Sequence, residues 1–174
     1  MELASFGGGC FWCMEPPFLR IDGVISSVPG YMGGEVPNPS YEQVCSGSTG
    51  HVEIVQVAFE PPCTYEDLLE VFWRNVDPTD DGGQFADRGN QYRPVIFFHN
   101  DVQQQLAEKS RNRMADRGLF KEPIRVAIEP ASAFYKAEEY HCNYAEKNPL
   151  HYQNYKVGSG RHAFLKQHWD DKSS

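Results

Sequence analysis

The sequence predicts an α+β fold, a two-layer sandwich built on a mixed central sheet, in a single domain. Three observations lead there. Segments with strand periodicity and segments with helix periodicity are interleaved without strict βαβ alternation, which disfavours a doubly wound parallel sheet. The chain has 174 residues, long enough for one real core, and shows no internal repeat, low-complexity segment or dividing linker. Hydrophobic residues make up 40% and charged residues 23%, ordinary values for a folded protein.

The elements follow in order. Leu3 to Phe6 reads as a short strand running into Gly7-Gly8-Gly9-Cys10. Cys10 to Arg20 looks helical although Pro16 and Pro17 lie inside it. Proline suits only a first helical turn, so either the helix begins near Glu15 or a tight turn at Cys10 leads into a kinked one. Val24 to Val28 is a strand, and Pro29 to Gly34 a loop. Ser40 to Cys45 is a helical turn, and His51 to Phe59 alternates polar and apolar side chains as a strand does. Thr64 can cap a helix through about Asn75, with Asp67 completing a capping box. Asp80 to Gln91 is a long loop, and a loop of that length in a compact domain is often functional. Pro94 to Phe98 and Ile124 to Ile128 are strands, with a polar helix over Asp101 to Arg117 between them. Ala137 to Glu146 is a helix stopped by Asn148-Pro149. The core therefore spans about 3–149, and the tail 150–174 is expected to be irregular.

Charge and cysteine usage narrow the function. A net charge of −8 without any basic block opposes binding to nucleic acid or anionic lipid. No apolar run approaches the ~20 residues of a membrane helix. The N-terminus shows no signal peptide, so a cytoplasmic protein is expected, with a monomer as the default. The cysteines are Cys10, Cys13, Cys45, Cys63 and Cys142, and an odd count of five does not suggest a disulfide framework.

The sharpest feature is the run Gly7-Gly8-Gly9-Cys10-Phe11-Trp12-Cys13. Three glycines permit a tight turn from strand into helix, which places Cys10 at or near a helix N-terminus. Unpaired N–H groups there favour a thiolate, so a lowered pKa is expected for Cys10 as a nucleophile. A phosphate cradle would need a following Lys-Ser/Thr pair, which is missing. Cys10 and Cys13 have the Cys-x-x-Cys spacing of redox pairs. Zinc would need two more ligands, and Cys45 and Cys63 lack the second such spacing, so no metal is expected.

Two glycine-flanked segments supply candidate partners. Thr49-Gly50-His51-Val52-Glu53 puts His51 and Glu53 on one face of a strand. Apolar residues follow Glu53, and partial burial there would raise a carboxyl pKa toward proton-donating range. Asp87 to Arg93 gathers a carboxylate, amides, the Tyr92 phenol and a guanidinium at the end of the long loop. Tyr31 is a second phenol in a glycine-rich stretch, able to donate a hydrogen bond to a polar oxygen.

Together the stretches GGGCFWC (7–13), PGYMGG (29–34), YEQVCSGSTGHVE (41–53), DRGNQYRPVIF (87–97) and AEEYHCNY (137–144) resemble the A-type peptide methionine sulfoxide reductases, in that family's order. The resemblance implies the two-layer sandwich with a ferredoxin-like core and extensions, and an enzyme without a cofactor. It implies that Cys10 attacks the sulfur of methionine S-sulfoxide in proteins and peptides, with free methionine sulfoxide a further candidate substrate. Glu53 would be the acid near the sulfoxide oxygen, and Tyr31 and Tyr92 the phenols that bind that oxygen. Phe11 and Trp12 would form the pocket for the S-methyl group, Asp87 would help hold the substrate, and His141 and Tyr144 would line the site. Cys10 would become a sulfenic acid, condense with a second thiol, and be restored by thioredoxin.

Two departures from that pattern matter. Relatives often carry glycine where this chain has Cys13, and a resolving cysteine near the C-terminus where this chain has none after Cys142. Cys13 is therefore the expected resolving thiol, with Cys142 the alternative. A general thiol–disulfide oxidoreductase built on Cys10 and Cys13 is the competing function, although it has no need of Glu53 or of two loop tyrosines.

Overall fold

The structure is a computed structural model that describes residues 1–170; the end of the tail, 171–174, lies outside the described residues. A six-stranded mixed sheet carries helices in an α+β arrangement. Its strands are β1 (Glu2–Gly7), β2 (Val24–Met32), β3 (Val52–Phe59), β6 (Val95–Phe98), β7 (Ala127–Pro130) and β8 (Tyr135–Lys136). Their order across the sheet is β7-β6-β1-β3-β2-β8, antiparallel throughout except for the parallel pair β6–β7. A separate hairpin pairs β4 (Gly83–Gln84) with β5 (Asp87–Arg88). The helices are α1 (Phe11–Leu19), α2 (Tyr41–Cys45), α3 (Tyr65–Trp73), α4 (Asp101–Asp116), α5 (Tyr144–Lys147), α6 (Pro149–Gly158) and α7 (Arg161–Leu165).

The period of two along β3 decides which side chain meets which layer. Val55, Val57 and Phe59 join the main core with Phe6, Phe11, Met14 and Phe18, together with Leu68 and Phe72 of α3. Val52 and Ile54 point the other way, into a smaller cluster with Met32, Val95 and Phe97, covered by Ala131 and Phe134. Both faces of this strand are thus buried. Glu53 is in phase with Val55 and Val57, and is carried to the face where α1 packs. The centre of the main core is aromatic: Phe6 stacks on Phe18 at 5.1 Å and on Phe72 at 5.5 Å. Helix α3 begins at a capping box in which Thr64 and Asp67 each accept from the other's backbone N–H, as expected.

Several elements depart from the sequence expectation. Of the two starts expected for α1 the structure takes the one at the Cys10 turn: the helix begins at Phe11 and contains Pro16 and Pro17. Those prolines remove the N–H groups that would bond the Trp12 and Cys13 carbonyls. The stretch Pro29 to Met32 is not loop but the end of β2, paired with β3 so that Tyr31 lies opposite Glu53. The long loop after Asp80 holds the β4–β5 hairpin and a 3₁₀ turn over Asn90–Tyr92. The strand expected at Ile124 to Ile128 starts at Ala127. The helix expected over Ala137 to Glu146 is split into a 3₁₀ turn at Glu139–His141 and α5, separated by Asn143 at φ 54°.

The largest correction is the tail. From Pro149 to Asp170 it is helical, through α6, α7 and a π-helical turn at Lys166–Asp170. Its anchors are spread apart in sequence, which hides them from a periodicity reading. Tyr152, Arg161 and Trp169 are buried, and Trp169 lies under the guanidinium groups of Arg74 and Arg117 at 4.6 and 5.1 Å. No helix among the described residues is long and apolar enough to cross a membrane.

Candidate active site

Cys10 occupies the N-cap position of α1, with extended backbone at φ −63° and ψ 125°. Gly9 reaches it through φ +88°, and a side chain there would collide with Gln84 and Arg161. The turn therefore requires glycine on two counts. Cys10 is 5% exposed and Cys13 is buried beside it, one turn on, with the Cys13 N–H donating to Cys10 O at 3.1 Å. Both thiols are free.

The electrostatics of Cys10 differ from the expectation. Burial pushes its pKa well above the usual thiol value, assisted by the hydrogen bond with Cys13 and by the Glu53, Cys13 and Asp87 charges. The anionic share of the pair rests on Cys13, held down to about 7 by the Cys10 hydrogen bond against burial, with Arg161 and Lys156 helping. A helix start does not lower a thiol that is buried between two acids. Proton movement inside the site must accompany its ionisation.

Glu53 is 1% exposed. Its Oε1 accepts from the Phe11 N–H at 3.3 Å, while Oε2 is buried without a hydrogen-bond partner among the described residues. Burial raises its pKa to about 8; Phe11 opposes that rise, Asp87 adds to it, and Tyr92 damps it. The Tyr92 hydroxyl is near enough for that influence, yet makes no bond of ordinary geometry to Oε2 and lies 4.0 Å from the Cys45 sulfur. At neutral pH Glu53 is thus largely a neutral acid with one open oxygen.

The structure brings Tyr92 to this acid but spends Tyr31 elsewhere. The Tyr31 hydroxyl donates to Glu138 Oε1 at 3.0 Å, and Oε2 of Glu138 accepts from the Tyr41 N–H at 3.0 Å. The phenol that feels both Glu53 and Cys10 is that of Tyr41, raised far above its usual pKa by burial and then by Glu53. Tyr41 was missed because it opens a short helix, where an aromatic reads as packing. Its only sequence signal was membership in the stretch that begins YEQVC. His51, paired with Glu53 in the sequence reading, is structural: its Nδ1 accepts from the Gly34 N–H at 3.0 Å.

An aromatic wall flanks Cys10. Phe11 is buried near the rings of Tyr31, Tyr41 and His141 at 5.9, 6.3 and 5.0 Å. Trp12 Nε1 donates to His141 Nδ1 at 3.0 Å, and the Tyr144 ring stacks on Trp12 at 3.9 Å. The His141 Nε2 is buried without a partner among the described residues, and burial lowers the histidine pKa against the Glu138 charge, which favours the neutral ring. Tyr155 of α6 meets the edge of Trp12 at 5.8 Å, and its hydroxyl donates to Asp87. Burial raises the Asp87 pKa against that bond. The tail thereby supplies one wall of the site, which no sequence pattern announced. The groove between α3 and α4, lined by Glu70 and Arg117, lies away from Cys10.

Of the two candidate resolving thiols, Cys13 shares a turn with Cys10. Cys142 sits in a different recess with Glu15, Val28, Pro29 and Lys136, and responds to Glu139, Lys136 and Glu15 rather than to Cys10. Among the described residues no cluster of three histidines, cysteines or acids could hold a metal ion.

Residues 2–173 match the family Peptide methionine sulfoxide reductase. The chain is 55% identical over 172 residues to the "Peptide methionine sulfoxide reductase MsrA" of Bacillus subtilis (strain 168), covering 98% of this chain and 97% of that one. The solved structure of Mxr1 from Saccharomyces cerevisiae in reduced form superposes with a TM-score of 0.79 at 34% identity, over 85% of this chain and 86% of that one. Mxr1 in complex with Trx2 superposes with a TM-score of 0.58 at 26% identity, over 83% and 84%. With a family match across nearly its whole length and a relative identical at more than half of the aligned positions, the chain belongs to the peptide methionine sulfoxide reductases.

Proposed function

We propose that this oxidoreductase reduces methionine S-sulfoxide in peptides and proteins through Cys10, with Cys13 as the resolving thiol and thioredoxin as the reductant. The observation that carries the reading is Glu53: a buried carboxyl, protonated up to about pH 8, whose Oε1 is held by the N–H of the residue after Cys10 and whose Oε2 has no partner among the described residues. A sulfoxide offers an electrophilic sulfur and a strongly accepting oxygen. The Cys10 sulfur attacks the former while Glu53 protonates the latter, and the S–O oxygen passes to Cys10 as methionine departs. The Tyr92 and Tyr41 hydroxyls steady the developing charge, Tyr41 in the place first expected of Tyr31. Phe11 and Trp12 wall the S-methyl group from water, with His141 and Tyr144 behind them and Asp87 holding the substrate's surroundings. Cys13 then closes a disulfide on Cys10, which a dithiol opens by exchange.

The core is read as ferredoxin-like: β1-α1-β2-β3-α3-β6 in the spatial order β6-β1-β3-β2 supports that plan. Five unpaired thiols support a reducing compartment, in line with a cytoplasmic enzyme, and the reading takes a monomer as the default.

The test is reduction of a methionine-sulfoxide peptide by the wild type, Cys10→Ser and Cys13→Ser. Loss of all activity in Cys10→Ser, with Cys13→Ser active on dithiothreitol and inactive on thioredoxin, supports the scheme. Full activity in Cys10→Ser refutes it.

A further inference from the structure

Arg161, the first residue of α7, is 2% exposed. Its Nη2 donates to Gly8 O at 2.8 Å and its Nη1 donates to Asn75 O. Nη1 also lies 3.8 Å from the Met14 sulfur, and the guanidinium carbon sits 4.7 Å over the Phe85 ring. Gly8 precedes Cys10 by two residues and Met14 directly follows Cys13, so one guanidinium grips the chain on both sides of the redox pair. A Cβ on Gly9 would stand 2.7 Å from Nη2, which shows how closely the turn is wrapped on this cation.

No carboxylate forms an ion pair with Arg161 among the described residues. Carbonyl groups satisfy its N–H donors without neutralising its charge, the acid that feels it is Asp87, which makes no direct ion pair with it, and a guanidinium does not deprotonate to escape burial. A buried charge of this kind strongly favours an anion nearby. The proposed scheme gives it no role.

We propose that Arg161 is a positioning residue for the resolving step: it clamps the Gly8–Cys10 turn against α1 and supplies the counter-charge for a Cys13 thiolate. The inference rests on the reading of Cys13 as the resolving thiol. In that step the Cys13 sulfur attacks the sulfur of the Cys10 sulfenic acid. An S–S bond forms, the S–O bond breaks, and the departing hydroxide takes the proton released by Cys13 to leave as water. Cys13 is oxidised and the sulfenic sulfur reduced, so no further oxidant is needed.

The other groups that bear on Cys13 are Cys10, Glu53 from β3, Asp87 from β5, and Tyr152, Tyr155 and Lys156 from α6. The hydrogen bond from Cys10 is the largest influence lowering Cys13, Arg161 is the larger of the two cations, and Asp87 opposes them. The cation that sets the resolving thiol thus comes from the segment that a periodicity reading leaves shapeless.

The experiment is alkylation of Cys13 by iodoacetamide against pH, in full-length Cys10→Ser protein, where serine retains a hydroxyl donor. The parent midpoint should fall below the ordinary thiol value of ~8.5. Arg161→Met should raise it by about one unit, and Arg161→Lys should restore most of the shift. In protein with Cys10 intact, disulfide formation after one sulfoxide turnover should slow about tenfold at pH 7 in Arg161→Met, and recover as pH rises. A merely structural role would not move a midpoint or be rescued by alkali. Should Arg161→Met fail to fold, the parent decides: a midpoint at or above ~8.5 overturns the proposal. A Cys10–Cys142 disulfide in the oxidised enzyme would overturn the resolving role of Cys13 and this proposal with it. An unmoved midpoint beside a Cys10–Cys13 disulfide overturns only the assignment to Arg161.

Discussion

The backbone N–H of Phe11 donates to Glu53 Oε1 at 3.3 Å, tying the residue after the nucleophile to the acid on the neighbouring strand. One contact thereby fixes the acid's distance from Cys10 and leaves its second oxygen open. Glu53→Gln keeps the acceptor for Phe11 and removes the transferable proton. Its kcat/KM with dithiothreitol should fall by about 10²–10⁴, the range for a lost general acid. In the wild type, the activity that depends on this proton should decline as pH passes above about 8.

The same acid sets a slope in stability. In the unfolded chain Glu53 ionises near 4.5, and in the fold near 8, so between those values the native state holds the extra proton. Stability from this group is full below about 4.5 and is lost as pH rises toward 8. Glu53→Gln should remove that slope and melt higher than the wild type at alkaline pH. Thermal unfolding across pH checks the crossing; a parallel offset at every pH would contradict it.

Tyr31 and Tyr41 separate by experiment. Tyr31→Phe removes a hydrogen bond to Glu138 and should cost about 1–3 kcal/mol of stability, measured by denaturant unfolding, with kcat near that of the wild type. Tyr41→Phe should leave stability closer to normal and lower kcat by about tenfold or more. The reverse pattern would return the oxygen-binding role to Tyr31.

Cys142→Ser should leave thioredoxin-supported turnover unchanged, because that thiol lies in the Glu15–Lys136 recess rather than beside Cys10. Peptide mapping of its oxidised form should still yield a Cys10–Cys13 disulfide. Loss of that disulfide in Cys142→Ser would show that the thiols exchange through a route this geometry lacks.

Gly9→Ala tests the turn itself. Alanine at φ +88° pays the left-handed penalty, and its methyl group would meet Gln84 Cβ at 2.6 Å. A loss of roughly 2–5 kcal/mol is expected in urea unfolding, the sum of strain and overpacking.

The α+β class, the strand–turn–Cys10 start and the Thr64 cap were legible in the residues alone, because each depends on residues close together in the chain, whereas the full burial of Glu53 depends on distant partners. Glycine freedom, two-residue alternation and capping are local physics. The partner of Tyr31 was not legible, since strand pairing and a distant carboxylate at 138 settle where its hydroxyl goes, and the same carboxylate holds the Tyr41 backbone N–H. The thiol titration was likewise not local: burial between acids outweighs a helix start. The tail 150–170 gave no periodic signal because its helices are short and are held by isolated anchors. Tyr155, Arg161 and Trp169 find Asp87, Gly8 and Arg74 across the fold, and such partners exist only once the sheet has brought them together.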